Sequence, residues 1–92
     1  MATLIKPNSE PQVMTPNNKP FFSLKELQDA VEGYIEILHI SVNGTRKIAV
    51  FNEEGKINNL EPNLLATHIC GSWLNGDVLL GNVIIADLDE ID

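Results

Sequence analysis

The chain holds one cysteine, Cys70, so it forms no internal disulfide, and none of its apolar runs approaches the ~20 residues needed to span a bilayer. Nothing indicates an oxidising compartment. The opening stretch MATLIKPNSEPQ lacks the apolar segment of a secretory leader, and the expected location is the cytoplasm. Cations are scarce as well: six Lys and Arg face thirteen Asp and Glu, a formal charge of −7. That balance repels phosphate backbones and anionic lipid surfaces, so direct nucleic-acid binding and membrane association are not expected. The same sign suits mimicry of nucleic acid, with carboxylates presented to a basic protein.

Catalytic groups are few. A nucleophile needs a base within hydrogen-bond reach and a third group to orient that base. Cys70 beside His68, and Ser41 beside His39, lack any marked third partner. His39, His68, Cys70 and Asp77 match no zinc spacing. Glu53 and Glu54 are adjacent in a turn and diverge, and no Walker or dinucleotide fingerprint occurs. The reading is a non-enzymatic protein with no metal and no cofactor.

What is present describes a single domain over residues 1–92. It divides into a strand and Pro/Asn-rich loop (1–22), a core (23–86) and an acidic tail (87–92). At this length one core leaves a thin margin of stability, and a homo-oligomer is expected. Thr3–Lys6 reads as a strand ended by Pro7, and Gln12–Thr15 as a short edge strand between prolines. In FFSLKELQDAVEG, Ser23 and Glu26 form a capping box and Phe22 staples onto Leu27. Leu24, Leu27, Ala30 and Val31 share a face, which predicts a helix over Leu24–Glu32 closed by a left-handed Gly33. YIEILHIS and TRKIAVFN flank Asn43-Gly44, the type I′ dipeptide of a β-hairpin. Neither face of these strands is polar, so one side meets the helix and another segment or subunit covers the other. A second helix is centred on Pro62–His68, with Leu64, Leu65 and Ile69 supplying apolar contacts and Gly71 ending the segment. Val83–Asp87 is a further strand. The fold class is α+β: a small, mainly antiparallel sheet with a central β-hairpin, packed by two short helices.

The hairpin leaves one stretch unexplained, Asn52-Glu53-Glu54-Gly55-Lys56. Together LQDAVEGYIE, NEEGKINNLEPNLLAT and LLGNVIIA resemble, in order and spacing, a small uncharacterised domain family of phages, plasmids and other mobile elements. The likeness covers Leu24 to Ala86, and it implies no known enzymatic activity. It picks out Gln28, Gly33, Tyr34, Ile35, Glu36, Asn52 to Lys56, Asn63, Ala66 and Thr67. The chain departs from it at Glu32, where the family more often has glycine.

Two accounts of this pattern stand open. In one, Asn52, Gly55 and Asn63 brace the turn and cap the second helix. In the other, Tyr34, Glu36, Asn52, Glu53, Asn63 and Thr67 line a polar pocket, with Arg46 and Lys56 as countercharges for an anionic ligand. The functional expectation joins the resemblance to the lack of catalytic groups. It is a phage-type accessory or counter-defence protein that sequesters a small nucleotide-derived immune signal. The alternative is an acidic inhibitor, or nucleic-acid mimic, that binds a host defence protein.

Overall fold

The capping box is formed as the sequence predicts. Ser23 Oγ accepts from the Glu26 N–H at 3.1 Å, and Glu26 Oε1 accepts from the Ser23 N–H at 3.0 Å. These bonds start α1, Leu24–Val31, in a computed structural model that describes residues 1–91. Asp92, the last residue of the predicted tail, lies outside them. Phe22 and Leu27 are both buried in one cluster, so the staple is in place.

Five strands build one antiparallel sheet: β1 (Ala2–Ile5), β2 (Gln12–Met14), β3 (Ile35–Val42), β4 (Thr45–Asn52) and β5 (Val83–Asp87). Their order across the sheet is β2-β1-β5-β4-β3. The second helix, α2, runs Leu64–Cys70 between β4 and β5. Because strand side chains alternate, Ala2, Ile48, Val50, Ile84 and Ala86 meet Phe22, Leu27 and Val31 on the α1 face. Ile5, Ile40, Ala49 and Val83 meet Ala66, Cys70 and Leu79 on the α2 face. The apolar character of both strand faces thus has an internal cause, since the sheet is sandwiched between one helix and the other. Ile5, Val31, Val50, Val83 and Ile84 are each fully buried, a gain of about 1.5–3 kcal/mol apiece relative to exposure.

Several local expectations change. β1 begins and ends one residue earlier than read, and β2 ends at Met14. Leu24 lies in the first turn of α1 and is 59% exposed, so the buried stripe is Leu27 and Val31 with Ala30 half-buried. Pro62 does not open the second helix. It bridges Leu80 in a short antiparallel contact, and Asn63 caps α2 in its place. Leu64 and Leu65 face solvent, and the inner face of α2 is Ala66 and Cys70, with Ile69 against them.

The end of α1 is corrected too. The left-handed residue is Glu32, at φ 64° and ψ 39°, not Gly33, which is absent from the positive-φ positions. A side chain at such a φ crowds its own carbonyl at a cost of roughly 1–2 kcal/mol. Part of that gain is offset by the extra freedom of an unfolded glycine. Glu32→Gly is therefore expected to stabilise the fold by about 0.5–1 kcal/mol, read as a rise in the urea midpoint at constant m-value.

The acidic tail is not a solvated streamer over its described part. Leu88–Glu90 forms a 3-10 turn in which Glu90 is buried and its Oε1 accepts from the Asp87 N–H at 3.0 Å. The Glu90 carbonyl accepts from the Phe22 N–H at 2.9 Å, which ties the chain end to the start of α1. Asp87 pairs with Lys47 across the β4–β5 ladder. The Lys47 ammonium is the chief reason that the Asp87 carboxyl titrates below its ordinary value. A carboxylate held low in the fold adds stability above its unfolded pKa, near 4, and loses it as pH falls through the folded value. Urea midpoints are thus expected to drop between pH 7 and about pH 3. Lys47→Met, which keeps the methylene stem, is expected to lower the neutral midpoint and shrink that difference.

Candidate functional site

The Asn52–Lys56 turn begins with a buried amide. Asn52 Nδ2 donates to the carbonyls of Val31 at 3.2 Å and Glu32 at 3.3 Å, the free acceptors at the end of α1. Its Oδ1 accepts from the Glu54 N–H at 2.8 Å and so folds the turn. Gly33 exists for this amide: a Cβ there would stand 2.6 Å from Asn52 Nδ2. Gly55 serves the next contact, since a Cβ on it would lie 3.2 Å from Leu80 Cβ. The turn is thereby pressed between α1 and the strand leading into β5.

A second buried amide holds the opposite side. Asn63 Nδ2 donates to the carbonyls of Ile5 and Gly81, each at 2.8 Å, and its Oδ1 accepts from the Ala66 N–H at 3.1 Å. Both of its amide protons and its amide oxygen are thus engaged, by β1, the loop before β5 and the α2 cap. Thr67 Oγ1 donates to the Asn63 carbonyl at 2.7 Å and accepts from the Leu79 N–H at 3.0 Å. Asn63 and Thr67 therefore pin residues 79–81 from behind.

Between these two braces lies a groove of about 320 Å³. Its apolar floor includes Leu38, Phe51, Leu79 and Leu80. Trp73, from a 3-10 turn at Gly71–Leu74, stands on its edge and is 50% exposed. The next two residues, Asn75 and Gly76, both take positive φ, at 52° and 82°. That left-handed pair reverses the chain, and Asp77 is brought to Lys56, with Nζ to Oδ1 at 2.9 Å. Lys56 holds the Asp77 carboxyl below its ordinary pKa, helped by the Val78 N–H. Glu36, Glu53 and Glu54 complete the lining. Four carboxylates thus share the groove with one cation, which is already paired.

Of the residues singled out in the sequence, Glu36, Asn52, Glu53 and Lys56 come together here. Asn52 does so as a brace whose polar atoms are used within the fold. Asn63 and Thr67 support the wall and do not line it. Tyr34 is 65% exposed in a separate depression with Gln28, Asp29, Glu32 and Glu54. Arg46 sits opposite Ser41 at the hairpin tip, three residues along the ladder from the Leu38–Ala49 pair and so about 10 Å from the nearest groove residue, Leu38. The sequence singles out neither Trp73 nor Leu80, and Asp77 only as a metal ligand whose spacing fails. The available signals were the chain's one tryptophan in a polar loop and the Asn75-Gly76 turn after it.

Cys70 is fully buried, and burial pushes its thiol up to about 11, which leaves no thiolate at neutral pH. Among the described residues, no three His, Cys, Asp or Glu side chains are placed to hold a metal ion. No helix among them is long and apolar enough to cross a membrane.

Fold and groove define a small α+β domain: a five-stranded antiparallel sheet between two helices, with an acidic, tryptophan-edged cleft beside one end of the sheet. The family model of DUF3846, a domain of unknown function, matches residues 1–92, and the chain belongs to that family. No curated protein and no solved structure matches it.

Proposed function

We propose that the protein is a non-catalytic binding module whose groove receives a basic segment of a partner protein. The observation that carries this reading is the half-exposed Trp73 beside four carboxylates and a single, already neutralised cation. An indole face attracts a guanidinium or ammonium group, and Glu36, Glu53 and Glu54 supply countercharge beside it. The Leu38, Phe51 and Leu80 floor accepts the aliphatic stem of an arginine or lysine.

Of the two functional expectations, this favours the acidic inhibitor over the sponge for a nucleotide-derived signal. A phosphate entering the groove meets uncompensated carboxylates. In a phage- or mobile-element-borne accessory protein, the partner that fits is a host defence protein with a basic, nucleic-acid-binding surface. No catalytic step is required of the groove; retention of the partner is the activity.

Trp73 is the only tryptophan, so its fluorescence reports the groove directly. A short Arg/Lys-rich peptide is expected to give a saturable change that weakens steeply with salt. Glu36→Gln with Glu53→Gln is expected to weaken binding by roughly five- to tenfold, as two exposed charge contacts do. Asp29→Asn, on the exposed face of α1, serves as the charge control and leaves affinity unchanged. A saturable response to cyclic dinucleotides or ADP-ribose derivatives, with none to the peptide, restores the sponge reading and overturns this one.

A further inference from the structure

The two edges of the sheet are finished differently. β2 is three residues long and lies between Pro11 and Pro16, a blunted edge that offers little to a new strand. β3 is eight residues long, IEILHISV, with no proline, no lysine and an unbroken register against β4 from Ile35↔Asn52 to Val42↔Thr45. Its one acidic residue, Glu36, is the only edge-protecting device it carries.

The phase of its backbone follows from the turn. Val42 and Thr45 close a two-residue hairpin, and Tyr34 O accepts from the Glu53 N–H at 3.0 Å, so even-numbered residues bond inward to β4. Ile35, Ile37, His39 and Ser41 then point their N–H and C=O groups outward. These four positions are symmetric about Leu38. A second copy turned about a two-fold axis through Leu38, normal to the sheet, sets Ile35 against Ser41 and Ile37 against His39 twice over. Eight hydrogen bonds form, and no like charges are opposed, since Glu36 falls across from Ile40.

Side chains along the same edge fit that occupant. Phe21, Leu24 and Ile37 are 42%, 59% and 41% exposed, and with Ile35 and Ile91 they line a shallow apolar groove between α1 and β3. The two-fold keeps the α1 faces on one side, so the two Ile37 side chains become diagonal neighbours across the pair while each Ile35 stands against Ser41. Eight strand residues span about 27 Å, and the molecule is 22 Å across its thinnest direction. The resulting footprint is roughly 600 Å² per copy, or about 1,200 Å² in total, which reaches the lower bound for a stable, specific interface.

We infer that the protein forms a homodimer by antiparallel pairing of β3 with β3 of a second copy, joining two sheets into one of ten strands. Leu38 and Glu36 belong both to this edge and to the acidic groove, so the two grooves border the dimer axis. The interface stands independently of what the groove binds.

Sedimentation velocity on the full chain over about 1–200 μM is expected to show twice the chain mass at the upper end and dissociation on dilution. Amide exchange on the same samples is expected to protect Ile35, Ile37, His39 and Ser41 only where dimer is present. Ile37→Lys, at an already exposed position, is expected to give a folded monomer. A wild type that stays monomeric throughout overturns the inference, as does a dimer whose four outward amides exchange freely. A folded Ile37→Lys that still dimerises does the same.

Discussion

Asn63→Ala is expected to cost about 3–5 kcal/mol, more than is expected of the other buried amide, Asn52. The substitution removes the acceptor that caps α2 and strips the only side-chain donor from two buried carbonyls, those of Ile5 and Gly81. Ile5 stays paired with Val83 in the ladder, so its lost side-chain bond costs about 0.5–1.5 kcal/mol, the Gly81 carbonyl deprived of its donor about 1–3 kcal/mol, and the lost cap about 1 kcal/mol more. A domain of this size holds only about 5–14 kcal/mol in all, so the variant is expected to be substantially destabilised at 37 °C. Urea unfolding followed by far-UV circular dichroism reads the loss. Asn63→Asp separates the roles: it keeps the cap acceptor and lacks the donor, so it is expected to unfold nearly as easily as the alanine variant. Wild-type stability in Asn63→Asp contradicts the bridging role.

The second large effect is a coupling. Gly33→Ala places a methyl 2.6 Å from Asn52 Nδ2, so the amide must leave the carbonyls of Val31 and Glu32. About 2–4 kcal/mol is expected to be lost, by overpacking together with unsatisfied acceptors. Asn52→Ala alone is expected to lose about 2–3 kcal/mol, because the turn bond to Glu54 goes as well. The two changes break the same contact from opposite sides. In the double variant the alanine at position 33 meets no amide, and the total is expected to fall short of the sum by more than about 1 kcal/mol. Additive losses contradict the proposed reason for glycine at position 33.

Local chemistry was well encoded. Ser23 and Glu26 announce a helix start because both bonds of the capping box lie within four residues. Asn43-Gly44 announces the hairpin in the same way, and the composition of Val83–Asp87 marks a strand. What the sequence concealed depended on contacts distant along the chain. Nothing near Asn63 says that its amide bonds Ile5, 58 residues away. Gly33 carries the expected residue type for a helix stop, yet its reason is Asn52, and the left-handed strain falls on Glu32. Leu64 and Leu65 are apolar but face outward because Asn63, not Pro62, sets where α2 starts and hence its rotational phase. The acidic tail is held by long-range contacts that its composition does not announce: the β4–β5 pairing brings Lys47 to the Asp87 carboxylate, and the Glu90 main-chain carbonyl accepts from the Phe22 N–H.

For the candidate site, the turn residues were legible as a group but not their division of labour. Asn52 and Asn63 braced the fold and Glu36, Glu53 and Lys56 faced the groove, a split that only burial and bonding reveal. Trp73 and Asp77 join them through the chain reversal at Asn75-Gly76, and no spacing rule ties that turn to residues twenty positions earlier.

The central claim, that the groove beside the Asn52–Lys56 turn binds basic segments of protein, is tested most directly by amide and indole chemical-shift mapping. Labelled protein is titrated with an Arg/Lys-rich peptide at low salt. The account predicts saturating shifts confined to the Trp73 indole, Glu36, Glu53 to Lys56 and Asp77 to Leu80. Shifts gathered instead around Tyr34 or the Arg46 hairpin tip, or an unperturbed Trp73 indole at saturating peptide, would contradict it.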